Sequence, residues 1–180
     1  MVLRDNMNRA VLVIDMIKDF VYGKYGGESA QEIVPTVEKF LKKMREKDVP
    51  IIYTQDAHHE GDPEMDVWGE HAMEGEEGAE TIEELEGLSD HIVKTNNYDA
   101  FFRTGLEDLL EEKGIEQLIL IGVSTDICVQ NTAAGAFFRG YDIIVLEDCT
   151  AAIKQENHKG ALEYMKTIYG AEIKSSDKVE

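Results

Sequence analysis

Apolar residues in this chain gather into short runs separated by longer segments of mixed polarity. Runs of strand length occupy residues 10–16, 51–55, 91–94, 117–123 and 142–146, with a sixth candidate at 171–174. Residues 29–47, 104–113, 126–139 and 155–168 between and after them are helix-length segments. In the first of these, Ile33, Val37, Phe40, Leu41 and Met44 recur at three- and four-residue spacing, which stacks them into one buried stripe and turns Lys and Glu outward. Gly114, Gly140 and Gly170 sit near the ends of the later three, where a residue tolerant of positive φ terminates a helix with least strain. Strand alternating with helix predicts βαβ units. Residues 11–14 and 118–121 are apolar almost throughout, as strands covered on both faces are. The expected class is α/β: a three-layer αβα sandwich on a central, mostly parallel, Rossmann-like sheet. At 180 residues the chain reads as one domain, residues 1–180.

Charge narrows the range of partners. The 37 acidic against 18 basic residues give a formal charge of −19, a field that repels phosphate backbones and anionic lipid surfaces. Nucleic acid and membranes are therefore poor partners, and a small molecule is the better expectation. The acidic stretches 74–86 and 107–112 read as solvated helix faces. No run approaches the ~18 apolar residues of a membrane span, and residues 1–8 have no apolar core of a leader, so a cytoplasmic location is expected. The 2 cysteines are too few for a disulfide framework and fit a reducing compartment as free thiols.

Ligands of open parallel sheets bind beyond the carboxyl ends of the strands. Three such ends deliver Asp15, Lys94 and Cys128. A thiol at the start of a helix feels the positive end of its dipole, and a neighbouring ammonium lowers its pKa further. Asp15 then accepts the thiol proton, and backbone N–H groups at the helix start receive an oxyanion. Singly, each residue has an ordinary role: Asp15 as a turn cap, Lys94 as a solvated strand end, Cys128 as a buried apolar side chain. Their joint placement points to acyl transfer. Cys149, following the run 142–146, reads as a packing residue. The long segment 56–78 holds three of the 5 histidines and the only Trp. Its Asp56-x-His58 pair, Glu64 and His71 are ligands suited to Zn²⁺ or another divalent metal, the alternative being a polar surface loop. His59 points elsewhere in an extended segment.

The segment Gly122-Val123-Ser124-Thr125-Asp126-Ile127-Cys128-Val129, followed by Thr132, Ala133 and Gly140-Tyr141, resembles the isochorismatase-like cysteine hydrolases, and within them the nicotinamidases. Val13-Ile14-Asp15-Met16 and Asp19-Phe20 extend the likeness over residues 10–171. It implies a catalytic triad of Asp15, Lys94 and Cys128. It also implies a cis Val123–Ser124 bond that aims the Ser124 N–H, with that of Cys128, at the oxyanion. Asp56, His58, Glu64 and His71 would hold a metal, zinc being expected, that takes the pyridine nitrogen of nicotinamide. Phe20 and Trp68 would pack on the ring, joined by Tyr98 and Phe101 from a segment carrying one residue more than the family pattern before Tyr98. The implied activity is hydrolysis of nicotinamide to nicotinate and ammonia, a step of NAD salvage, by a homo-oligomer. Alternatives are an amidase for N-carbamoylsarcosine- or ureido-type substrates, or a catalytically silent ligand-binding oligomer.

Overall fold

The computed structural model describes residues 8–180; residues 1–7, which make up nearly all of the stretch read for a leader, lie outside it. In chain order the elements are β1 (Arg9–Ile14), α1 (Lys18–Val21), α2 (Glu28–Arg45), β2 (Ile51–Asp56), α3 (Met65–Trp68), β3 (His91–Thr95) and α4 (Leu106–Glu112). There follow β4 (Gln117–Val123), a π-helical turn (Thr125–Val129), α5 (Gln130–Phe138), β5 (Asp142–Ala151), α6 (Gln155–Tyr169) and β6 (Glu172–Lys174). The strands form one six-stranded sheet in the order β3-β2-β1-β4-β5-β6, and every pairing is parallel.

Alternate side chains of the central strands enter two separate cores. Val11, Val13, Ile119 and Ile121 pack with Val34, Val37 and Leu41 of α2 on one face. Leu12, Ile14, Leu118 and Leu120 pack with Leu106 and Leu110 of α4, Ala133 of α5 and Met165 of α6 on the other. Burying a Leu, Ile or Val side chain contributes roughly 1.5–3 kcal/mol, so a strand apolar on both faces commits strongly to the sheet centre. The three layers expected from the sequence are present. Gly114, Gly140 and Gly170 have φ of 62°, 82° and 67°. No helix among the described residues is long and apolar enough to cross a membrane.

β1 and β4 are neighbours at the centre, and the chain builds outward from them in opposite directions. Their carboxyl ends therefore flank the crevice where ligands of such sheets bind. Gly122 makes this crevice possible. It pairs with Ile14, has φ 116°, and a Cβ there would stand 2.0 Å from the Ile14 carbonyl oxygen. Only glycine lets β4 pass so close to the end of β1. The β4–β5 register shifts between Leu120 and Gly122, and β5 runs on to Ala151. Cys149 consequently lies within a strand rather than in a loop after residue 146. It is buried, and burial with the Asp148 carboxylate beside it pushes its thiol up to about 12.

Candidate active site

Asp15 follows β1 directly and takes a left-handed backbone, φ 52°. Its N–H donates to the Thr54 carbonyl (2.9 Å), and its Oδ1 accepts the Asp56 N–H (3.0 Å). The carboxylate is thereby held between β1 and β2 with its remaining acceptor capacity toward Cys128, which donates its thiol hydrogen bond to it. Both residues are buried, at 1% and 7% exposure. Burial, then the Asp56 carboxylate, raise the Asp15 pKa well above the usual range. Burial, then Asp15 and Asp56, likewise raise the Cys128 thiol. Cys128 is delivered by the π-helical turn after β4, beyond a cis Val123–Ser124 bond. The turn is tied to α6 through Thr125 Oγ1 and His158 Nδ1 at 2.8 Å, and through Asn157 Nδ2 donating to Asp126 at 2.8 Å.

Lys94 is not brought to this pair. It lies inside β3, in register with Gln55, whereas its neighbour Thr95 pairs with Asp56. Side chains alternate faces along a strand, so Lys94 projects to the side opposite Asp56. Its ammonium bonds Glu74 Oε1 at 2.7 Å, with the side chain 59% exposed. This corrects the expectation of a Lys94 ammonium beside Cys128. With no lysine or arginine among the described residues lining the Cys128 cavity, none of them offsets the burial and the carboxylates, and the expected resting thiolate is replaced by a thiol hydrogen-bonded to Asp15.

Asp56, the last residue of β2, reaches toward a second cluster. Donor atoms of Asp56, His58, Glu64 and His71 all lie within 4.8 Å of one another, and all four residues are buried. His58 Nε2 is 3.4 Å from Asp56 Oδ2 and 3.7 Å from Glu64 Oε2. Asp56 Oδ1 and His58 Nε2 are buried without a hydrogen-bond partner, the condition in which a polar atom calls for a ligand. Burial and Asp56 push Glu64 up to about 7. Burial disfavours a charged His58, but Asp56, Glu64 and Asp62 outweigh it and raise its pKa. The His58 Nδ1 faces Asp62 at 3.3 Å, and the His71 Nδ1 faces the Gly69 carbonyl at 2.7 Å. With both Nδ1 atoms donating, each Nε2 keeps its lone pair, the usual tautomer of a metal-binding histidine. Two carboxylates and two imidazoles with orphaned atoms fit a divalent cation. His59 lies outside, 64% exposed and paired with Glu74 at 2.7 Å.

The two clusters meet at Asp56, and beside them is a cavity of about 50 Å³ lined by Phe20, Tyr25, Trp68, Tyr98, Ser124, Ile127 and Ile153, together with Asp56, Glu64, His71 and Cys128. The Phe20 ring lies 5.8 Å from that of His71, and Trp68 Nε1 donates to the Tyr98 hydroxyl at 2.9 Å. Phe101 is elsewhere: it is 3% exposed in the α4–α5 core, stacked on Tyr141 at 5.9 Å and capped by the Arg139 guanidinium at 4.6 Å. This corrects its expected place on the substrate ring. Tyr25, Ile127, Ile153 and Asp62 escaped the sequence reading. Asp62, four residues after His58, carried a signal, since a carboxylate near a ligating imidazole commonly orients it. The other three carry none that periodicity exposes.

Residues 9–177 match the isochorismatase domain. The chain belongs to the isochorismatase family. It is 37% identical to the crystal structure of N-carbamoylsarcosine amidase from Thermoplasma acidophilum, with a TM-score of 0.91 covering 97% of this chain and 99% of that one. The pyrazinamidase of Pyrococcus horikoshii in complex with zinc superposes with a TM-score of 0.86 at 29% identity, covering 93% and 99%. Nicotinamidase 3 of Arabidopsis thaliana is 31% identical over 160 residues, 85% of this chain and 78% of the relative.

Proposed function

We propose that this chain is a cysteine amidohydrolase for a small uncharged aromatic amide, nicotinamide, which it cleaves to nicotinate and ammonia. One observation carries the reading: a thiol hydrogen-bonded to a buried carboxylate opens onto a ring-lined cavity that members of a metal-ligand cluster also line. The raised Asp15 pKa makes it a competent proton acceptor. Asp15 takes the Cys128 proton as sulfur bonds to the amide carbon, and the carbonyl oxygen gains the negative charge. The N–H groups of Ser124 and Cys128 receive that charge. Asp15 passes its proton to the departing nitrogen, the C–N bond breaks, and ammonia leaves a thioester. Water then attacks the thioester with Asp15 again as base, releasing the acid and returning the proton to Cys128.

Asp56, His58, Glu64 and His71 would hold the divalent ion, which when bound supplies an electrophilic contact for a ring nitrogen and offsets the buried carboxylates. Phe20, Trp68 and Tyr98 form the ring walls, and they exclude water from the reacting carbon.

The likeness to an N-carbamoylsarcosine amidase favours a second reading, a carbamoyl amide that bears a carboxylate. The lining speaks against it, because its acidic side chains are Asp56 and Glu64, and among the described residues no lysine or arginine faces the cavity. A carboxylate brought there finds no side-chain cation to pair with. Ammonia release from nicotinamide and from N-carbamoylsarcosine, by wild type and Cys128→Ala, tests the two. Wild-type turnover of nicotinamide that is absent in the variant is expected. Turnover of the carbamoyl acid alone replaces the first reading with the second, and activity surviving in the variant overturns the cysteine mechanism.

A further inference from the structure

The metal-ligand loop is held by a residue that lies outside it. Ala72, next to His71, has a left-handed backbone, φ 44°, although it is not glycine. Its N–H donates to Asp19 Oδ2 at 2.8 Å, and its carbonyl accepts the His58 N–H at 2.9 Å. One residue thus joins both histidines of the cluster, and its conformation is one an L-residue keeps only when its surroundings impose it. The Asp19 carboxylate is the group that imposes it from α1. It is itself enclosed by backbone. A Cβ at Gly78 would stand 2.5 Å from the carboxylate carbon, and one at Gly23 would stand 2.8 Å from Oδ1. Lys18 fastens the same turn from the adjacent position, its ammonium reaching Glu77 at 3.1 Å and Glu80 at 3.0 Å. Phe20, the next residue of α1, faces His71.

We infer that Asp19 is a positioning residue for the metal centre: through the Ala72 peptide it sets where His58 and His71 present their Nε2 atoms. The inference rests on the metal centre proposed above. A charge-assisted acceptor on a backbone N–H is among the stronger hydrogen bonds, and outer partners of metal ligands typically carry 10- to 100-fold in affinity.

Cobalt(II) serves as the probe, with its visible absorption reporting ligand geometry and calorimetric titration reporting affinity, neither of which depends on turnover. Asp19→Ala is expected to weaken cobalt binding roughly 10- to 100-fold and to alter the absorption band. Gly78→Ala, whose methyl would displace the carboxylate, is expected to do the same with Asp19 intact. Asp19→Asn keeps an oxygen for the Ala72 N–H and is expected to hold cobalt more tightly than Asp19→Ala. If Asp19→Ala fails to fold, the comparison of Gly78→Ala with wild type decides. Wild type that binds cobalt with variants that match it in affinity and spectrum overturns the role of Asp19 alone. Wild type that binds no cobalt overturns the metal centre, and this role with it.

Discussion

Removing the Lys94 ammonium separates the family-derived triad from the Asp15–Cys128 pair that the fold brings together. Lys94 pairs with Gln55, one residue before Asp56, and a one-residue step along a strand reverses the face. Its ammonium is 2.7 Å from Glu74, with both side chains solvent-accessible, at 59% and 37%. Such a pair is screened and contributes little to folding. Lys94→Ala should therefore move the melting temperature by no more than the ~2–4 °C typical of one weak interaction in a chain of this size. Its kcat for ammonia release should remain that of wild type, because no reacting atom loses a contact. A cation that stabilised developing charge at the reacting centre would behave otherwise, its removal costing on the order of 10²–10³ in kcat. The assay couples ammonia release from nicotinamide to a reductive amination read by absorbance, with a thermal melt of the same sample. A hundredfold fall in kcat with an unchanged melt would place the ammonium at Cys128 and refute the register argument.

Three further outcomes follow from the same geometry. Gly122→Ala places a methyl 2.0 Å from the Ile14 carbonyl at φ 116°, and should destabilise the fold by roughly 2–4 kcal/mol in urea denaturation while separating Asp15 from Cys128. An unchanged denaturation midpoint would show that the β1–β4 contact relaxes freely. His158 has its pKa held below the ordinary value, chiefly by burial, so its neutral form belongs to the fold. The stability it contributes is complete above the unfolded pKa of about 6.5 and is lost as pH falls through the lower folded value. Melting temperature in that window should fall for wild type and less for His158→Gln; parallel profiles would contradict this. Finally, metal-free protein should alkylate at Cys128 with iodoacetamide more slowly than free cysteine at neutral pH, since burial, Asp15 and Asp56 all favour the thiol. Faster labelling would mean that a positive group faces the sulfur.

Much of this molecule was legible in the linear chain because its signals are local. The runs 117–123 and 51–55 became β4 and β2, the latter extended by one residue, and the stripe of residues 33–44 became the buried face of α2, with Val34 deeper than Ile33. Hydrophobic period and glycine position act over a few residues, so they survive without knowledge of partners. The strand-end rule brought Asp15 and Cys128 to the crevice and failed for Lys94, while the Asp56 to His71 cluster was visible as ligand-type residues in the long segment 56–78.

What the tertiary structure alone decided is direction and company. Whether Lys94 or Thr95 looks toward Asp56 depends on β2–β3 register, a pairing between segments some forty residues apart, and one step of slippage inverts the answer. Phe101 entered the core because Tyr141 and Arg139, distant in sequence, offered its ring a better enclosure than the cavity did. Tyr25, Ile127 and Ile153 meet around the cavity beside Cys128 only through the docking of the segment after α1, the π-helical turn and the segment before α6. Asp19 holds Ala72 across 53 residues. Contacts of that span are set by how the layers pack, and no period in the chain encodes them.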